Sequence, residues 1–189
     1  AWQQAGQQLA AMHRHSGPSF GWLRDNTIGA TPQRNDWTQG WIDFWRERRL
    51  GFQLELAARK GYGGALQSQG EKLLGCFDRL IDHAPLPSLL HGDLWGGNIG
   101  YDEQRNPVIF DPAVYYGDRE ADVAMTELFG GFSPGFYDAY RSSWPLDDGH
   151  HERRTLYQLY HILNHMNIFG GGYQGQAEGM IDRLLAELA

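Results

Sequence analysis

Cysteine is nearly missing from this chain: Cys76 stands alone among 189 residues. One thiol excludes an intramolecular disulfide and a thiolate zinc cluster. It sits in Lys72-Leu73-Leu74-Gly75-Cys76-Phe77, an apolar helical context that suits a small core residue better than a reactive thiol. Long apolar runs are missing as well. None reaches about 18 residues, so no membrane span is expected. Positive charge is scarce, with 16 Lys and Arg against 23 Asp and Glu and a formal net charge of −7. That balance speaks against a nucleic-acid surface and against an anionic membrane partner. The first residues, Ala1-Trp2-Gln3-Gln4, offer neither an initiator Met nor the basic and apolar regions of a signal peptide. A chain that opens on Ala directly into a helical pattern is expected to be a piece of something longer.

What is present is enough for a sizeable core. A chain of 189 residues suits one domain, or one large lobe of a larger protein, and can bury roughly 70% of its unfolded surface. Apolar spacing predicts helices over 2–15, 37–59, 66–83, 119–129, 134–143, 150–168 and 176–188. The longest of these begins with Trp37, Trp41 and Trp45 at i, i+4, i+8, a stripe expected to face the core. Residues 20–36 show no sustained period and are expected to form an ordered loop, as are residues 112–118. Short strands are expected at 98–101 and 107–111 around the turn Asp102-Glu103-Gln104-Arg105-Asn106. The expected fold is mainly α with one small β-hairpin, and the hairpin carries the polar residues.

Those polar residues fall in a fixed order. His91-Gly92-Asp93-Leu94-Trp95-Gly96-Gly97-Asn98 fits the spacing H-x-D-L-x-x-x-N, and Val108-Ile109-Phe110-Asp111 follows after a short turn. Phosphoryl transfer asks for an oriented hydroxyl, an acceptor for its proton and cations that neutralise phosphate oxygens. Asp93 can be the acceptor. Asn98 and Asp111 offer the hard oxygen ligands that Mg²⁺ prefers. Gly96 and Gly97 are expected to let backbone approach a phosphate or metal closely. His91 is expected to orient the loop by hydrogen bonding rather than to shuttle protons. Asp118 is placed to cap the helix that starts at Arg119.

Together with Phe110-Asp111-Pro112-Ala113 and Tyr116-Gly117-Asp118-Arg119-Glu120-Ala121-Asp122, the octet closely resembles the fructosamine kinase (ketosamine 3-kinase) family. Ile28-Gly29-Ala30-Thr31-Pro32-Gln33-Arg34-Asn35 and the Trp-rich helix through Leu50 look like the same family's preceding segment, so the resemblance covers nearly the whole chain. It implies a protein-kinase-like fold and ATP and Mg²⁺ as cofactors. Substrates would be ketosamines on amines or protein lysines, phosphorylated on a sugar hydroxyl, typically O3. The phosphorylated adduct is unstable, so the activity would serve deglycation, in the cytoplasm. Carried over by position, Asp93 is the base, Asn98 and Asp111 are the metal ligands, and Trp95 is a wall of the sugar pocket. Two elements have no counterpart here, a Gly-rich phosphate loop and a strand Lys paired with a helix Glu. The expectation is therefore the C-terminal lobe alone, with the β-rich N-terminal lobe missing. Asp-Pro-Ala in place of D-F-G removes the Phe that positions a protein-kinase activation segment. Two alternatives stay open: an aminoglycoside-phosphotransferase-like kinase of another hydroxyl substrate, and a catalytically incomplete binding lobe.

Other polar groups are read more plainly. His161 and His165 share a helix face at i, i+4, but no zincin Glu accompanies them, and helix packing is expected. His150-His151 is expected to start a helix in solvent. Arg46, Arg48 and Arg49 are expected on a solvated face, and Asp122 in loop fixation rather than ligation.

Overall fold

The computed structural model describes residues 1–189. Helix α1 (Trp2–His13) buries Ala5, Leu9, Ala10 and His13, positions that share one face of a helix. Strands β1 (Asn26–Ile28) and β2 (Thr31–Gln33) then pair antiparallel inside the stretch expected to be loop. The reason is tertiary. The Gln33 amide donates to Ala113 O at 2.9 Å and Asn26 Oδ1 at 3.0 Å, and accepts from Tyr160 Oη at 2.9 Å. Two of those partners lie far along the chain, where no local pattern reaches them.

The long helix starts later than expected. It runs as α2 (Trp41–Phe44), a π-helical segment (Trp45–Leu50) and α3 (Gly51–Arg59). Trp37 lies outside it, 41% exposed and stacked on Tyr116 at 6.2 Å. Only Trp41 and Trp45 of the expected stripe enter the core. The π segment contains Arg49, which is fully buried rather than solvated. Its guanidinium lies 4.0 Å from the centre of the Tyr115 ring and 4.6 Å from that of Phe44. It donates to Arg34 O at 2.6 Å and Asn35 Oδ1 at 2.8 Å. Aromatic faces and carbonyl oxygens thus hold a buried cation. Arg46 and Arg48 do face outward, paired with Asp43 and Asp36 at 3.2 and 3.3 Å.

Helix α4 (Ala65–Leu74) is shorter than the expected 66–83, and a 3₁₀ turn (Phe77–Leu80) follows it. Strand β3 (Ser88–Leu90) leads to a 3₁₀ turn (Gly96–Asn98), then β4 (Ile99–Tyr101), β5 (Pro107–Ile109) and β6 (Tyr115–Gly117). β4 and β5 form the expected hairpin, with Ile99 opposite Ile109. β3 pairs antiparallel with β6, Leu90 opposite Tyr115, so part of the expected loop 112–118 is a strand. Helices α5 (Arg119–Leu128), α6 (Pro134–Ser143), α7 (His150–Phe169) and α8 (Gln174–Glu187) fall within two residues of expectation.

α7 is the spine. Leu156, Leu159, Tyr160, Leu163 and Met166 are buried on successive turns, and α3, α5 and α8 pack around it. A smaller cluster joins α1 to α6 through Leu9, Phe136 and Tyr140. Between core and surface runs a buried polar lattice. Asp118 caps α5 through Glu120 N at 3.0 Å, and its other oxygen accepts from Tyr157 Oη and His83 Nε2, both at 2.6 Å. Glu120 accepts from Arg153 Nε at 2.7 Å and Nη2 at 2.8 Å, tying α5 to α7.

Removing one side of a buried ion pair leaves the other charge without its main partner. Glu120→Ala is therefore expected to destabilise the fold by about 3 kcal/mol in urea titration. Asp138→Ala, which breaks the exposed pair with Arg141, is expected to change stability by less than about 1 kcal/mol.

Candidate active site

β3 delivers the chain to His91, and the loop that follows is fixed from three sides. His91 N and Gly92 N donate to the Asp122 carboxylate at 2.8 and 2.9 Å, while Ala113 N donates to His91 O at 2.8 Å. Gly92 has φ +87, and a Cβ there would collide with Ala113 O. Only glycine fits this turn. The same Asp122 oxygen that holds His91 N also meets His13 Nε2 at 2.9 Å, and His13 Nδ1 meets Tyr140 Oη at 2.8 Å. α1, α5 and the loop therefore converge on one carboxylate, and α6 joins them through His13. Burial by itself would raise the Asp122 carboxyl, yet the hydrogen bond and charge of His13, with His91 and the Gly92 N–H, hold it below the usual carboxylate range.

The His91 ring joins the two arms of the site. Its Nδ1 accepts from Asp93 N at 3.2 Å, which leaves Nε2 as the donor to Phe110 O at 2.7 Å. One imidazole thus bridges the residue before Asp111 and the backbone of Asp93. Asn98 donates through Nδ2 to Asp93 O at 2.8 Å, and more loosely to Asp93 Oδ2 at 3.4 Å. Phe110 N donates to Asn98 O at 3.1 Å, extending the β4–β5 pairing to the edge of the site. Asp111, one residue further, has φ +52. A non-glycine residue in this left-handed region costs of order 1–3 kcal/mol and persists only where its surroundings fix it.

Asp93, Trp95, Asn98 and Asp111 line one open cleft of about 360 Å³, with Thr27, Gly29, Pro112 and Ala113. Burial pushes the Asp93 carboxyl up to about 7, reinforced by the charges of Asp122 and Asp111 and opposed by the Asn98 hydrogen bond. Asn98 is buried and spends its amide nitrogen on Asp93, which leaves the carbonyl oxygen Oδ1 for another partner. That oxygen and the exposed Asp111 carboxylate are hard donors on one cleft, a set that fits a magnesium ion. Trp95 is 39% exposed at the cleft wall. Its ring fills the space a Gly97 side chain would occupy, so that glycine serves the tryptophan rather than an approaching phosphate. Asp118 does not line the cleft; it caps α5.

Several participants escaped the sequence reading. His13 was legible only as part of an apolar helix face, and Thr27 and Gly29 as loop. His161 is buried, with Nδ1 3.9 Å from Asp93 Oδ1 and no hydrogen-bond partner of its own. Burial, then the neighbouring His165, holds its ring down to about 3, so it is neutral. Its i, i+4 partner suggested a shared helix face, but nothing local indicated that this face meets the loop.

A mainly helical body with an H-x-D loop, an Asn five residues on and a trailing Asp around one cleft has the layout of a kinase-like fold. The fructosamine kinase family model matches residues 1–187, and the chain belongs to that family. It is 51% identical to a Synechocystis protein named "Probable ketoamine kinase", over 98% of this chain and 62% of the relative. It is 48% identical to a chloroplastic protein-ribulosamine 3-kinase of Arabidopsis thaliana, over 97% of this chain and 57% of the relative. A crystal structure of a fructosamine-3-kinase candidate from Thermobifida fusca superposes with a TM-score of 0.93 at 36% identity, over 98% of this chain and 65% of that one. The chain thus spans about three-fifths of the length of the curated relatives it matches. No helix is long and apolar enough to cross a membrane.

A carboxyl whose folded value lies below its unfolded one, about 3.9, stabilises at higher pH, and that contribution is lost as pH falls through the folded value. Thermal melts should therefore show stability dropping below about pH 4, in part through Asp122. Asp122→Asn is expected to be about 2–3 kcal/mol less stable near neutral pH and to show a weaker acid dependence.

Proposed function

We propose that this chain carries the proton acceptor and metal ligands of an ATP-dependent kinase acting on ketosamines. The reading rests on one observation: Asp93, Asn98 and Asp111 line the same cleft in the order the kinase catalytic loop requires. The substrate's sugar hydroxyl, O3 by the family resemblance, lies against Asp93. Its oxygen forms a bond to the γ-phosphorus while the bond from that phosphorus to the β–γ bridging oxygen breaks and ADP leaves. The hydroxyl proton passes to an Asp93 oxygen. Its raised proton affinity, about 7, suits an acceptor working near neutral pH.

Asn98 Oδ1 and the Asp111 carboxylate would hold Mg²⁺, which when bound neutralises charge on the phosphate oxygens. His91 keeps these two arms in register through its paired hydrogen bonds. The left-handed backbone at Asp111 aims its carboxylate at the cleft. Trp95 offers an aromatic face to sugar C–H groups, and Asp118 acts at a distance by capping α5. The 3-phosphorylated adduct is unstable, so turnover amounts to deglycation of small amines or protein lysines. A compartment supplying ATP and Mg²⁺, the cytoplasm, suits the reaction. The nucleotide in this reading is gripped by an N-terminal lobe outside these 189 residues, which contain no Gly-rich phosphate loop with its Lys.

The test uses the full-length polypeptide with ATP, Mg²⁺ and a synthetic ribulosamine or fructosamine. Transfer to the sugar is expected, and Asp93→Asn should lower kcat by ~10²-fold or more. Undiminished turnover in that variant would remove Asp93 from the role. Asp111→Asn is expected to raise the Mg²⁺ concentration needed for half-maximal rate by at least ~10-fold, measured by metal titration. Transfer to aminoglycosides with none to ketosamines would move the enzyme to the neighbouring kinase class.

A further inference from the structure

The cleft does not end at Trp95. The Trp95 ring meets Phe129 edge-on at 6.0 Å, and Phe129 lies 5.0 Å from the His165 ring. His165 in turn lies 5.5 Å from Phe169 and 5.4 Å from Tyr173. Five rings form a continuous strip from the wall of the cleft outward past the C-terminal ends of α5 and α7. Trp95, Phe129 and Phe169 are 39%, 36% and 70% exposed. Isolated exposed aromatics are ordinary, but a connected run that begins at a reacting centre marks a binding surface. Phe129 and Phe169 stand where α5 and α7 end, immediately before Gly130 and Gly170, so their rings project where the chain turns away.

We propose that this strip binds the amine-bearing arm of the substrate, an inference that rests on the ketosamine-kinase reading. With the sugar hydroxyl at Asp93, the rest of the molecule must leave the cleft, and the strip offers an apolar exit beginning at its wall. The arm of a ketosamine starts with a secondary aliphatic amine, which is protonated near neutral pH. Aromatic faces attract such a cation, and the strip exposes those of Trp95, Phe129 and Phe169. Beyond the nitrogen, a hydrocarbon stem packs on ring faces as the methylenes of a lysine do. The net charge of −7 adds a general attraction for the same cation. The favoured class is therefore ketosamines on extended amines, such as a lysine side chain within a peptide, over those on methylamine.

The experiment compares two ketosamines of one sugar, one built on methylamine and one on the side chain of a blocked lysine peptide, using the full-length enzyme. The wild type should show a lower KM for the peptide arm. Phe169→Ala and Phe129→Leu should each raise the peptide substrate's KM at least ~3-fold more than the methylamine substrate's, with kcat for the two changing in parallel. Phe169 is exposed, and Phe129→Leu retains bulk while removing the ring, so each variant separates ring recognition from folding. Turnover of both compounds with equal KM, or KM changes identical for both, would overturn the strip's role and leave the kinase reading intact. Turnover of neither compound would overturn the kinase reading and the strip's occupant together.

Discussion

The carboxylate of Asp122 is the constraint on which the rest of this site depends. It is buried and held by His13, His91 N and Gly92 N. His13 belongs to α1, the two N–H groups belong to the loop and Asp122 itself lies on α5, so the loop carrying Asp93 is referenced to α1 and α5 at once. A buried anion is unfavourable unless its hydrogen bonds are complete, which makes the arrangement close to all-or-none. The loop is thereby a rigid part of the helical body, although it contains three glycines between His91 and Asn98.

From that fixed point the geometry passes outward through His91. Its two ring nitrogens are both committed, one to Asp93 N and one to Phe110 O, which fixes the tautomer. The distance between Asp93 and the strand before Asp111 is then set by the width of an imidazole. The unusual backbone at Asp111 sits beside this bridge, where two strands and a histidine hold it. Local strain is tolerated there because the surroundings are over-determined. Arg49 supplies a parallel example in the core. A cation with no carboxylate partner is held by aromatic faces and carbonyls, in a π-helical segment that departs from the regular helix around it.

The cleft's chemistry and its aromatic margin are organised differently. Asp93 and Asn98 are joined by a hydrogen bond within one loop, and Asp111 directly follows Phe110, whose N–H donates to Asn98 O, so their spacing is short in sequence as well as in space. Trp95 belongs to both systems, as it lines the cleft and also starts the line of rings through Phe129 and His165. Those rings come from α5 and α7, which α7's role as the central helix brings to the same side as the loop.

By itself the sequence determined the helices from α5 onward, the β4–β5 hairpin and the order Asp93, Asn98, Asp111. These depend on apolar period, turn residues and short-range spacing, all carried by neighbouring positions. It also carried the family resemblance, because the octet and its trailing Asp-Pro-Ala are each unbroken stretches close together in the chain. Only the tertiary structure decided the β1–β2 hairpin, the β3–β6 pairing, the burial of Arg49 and the placing of His13 and His161 around the loop, whereas the role of Asp122 in fixing that loop was already expected. Each of these is settled by a partner remote in sequence: Ala113 and Tyr160 for Gln33, Tyr115 for Arg49, Asp122 for His13. A buried polar side chain is stable only where its partner is, and that partner's position is a property of the folded chain rather than of any local stretch.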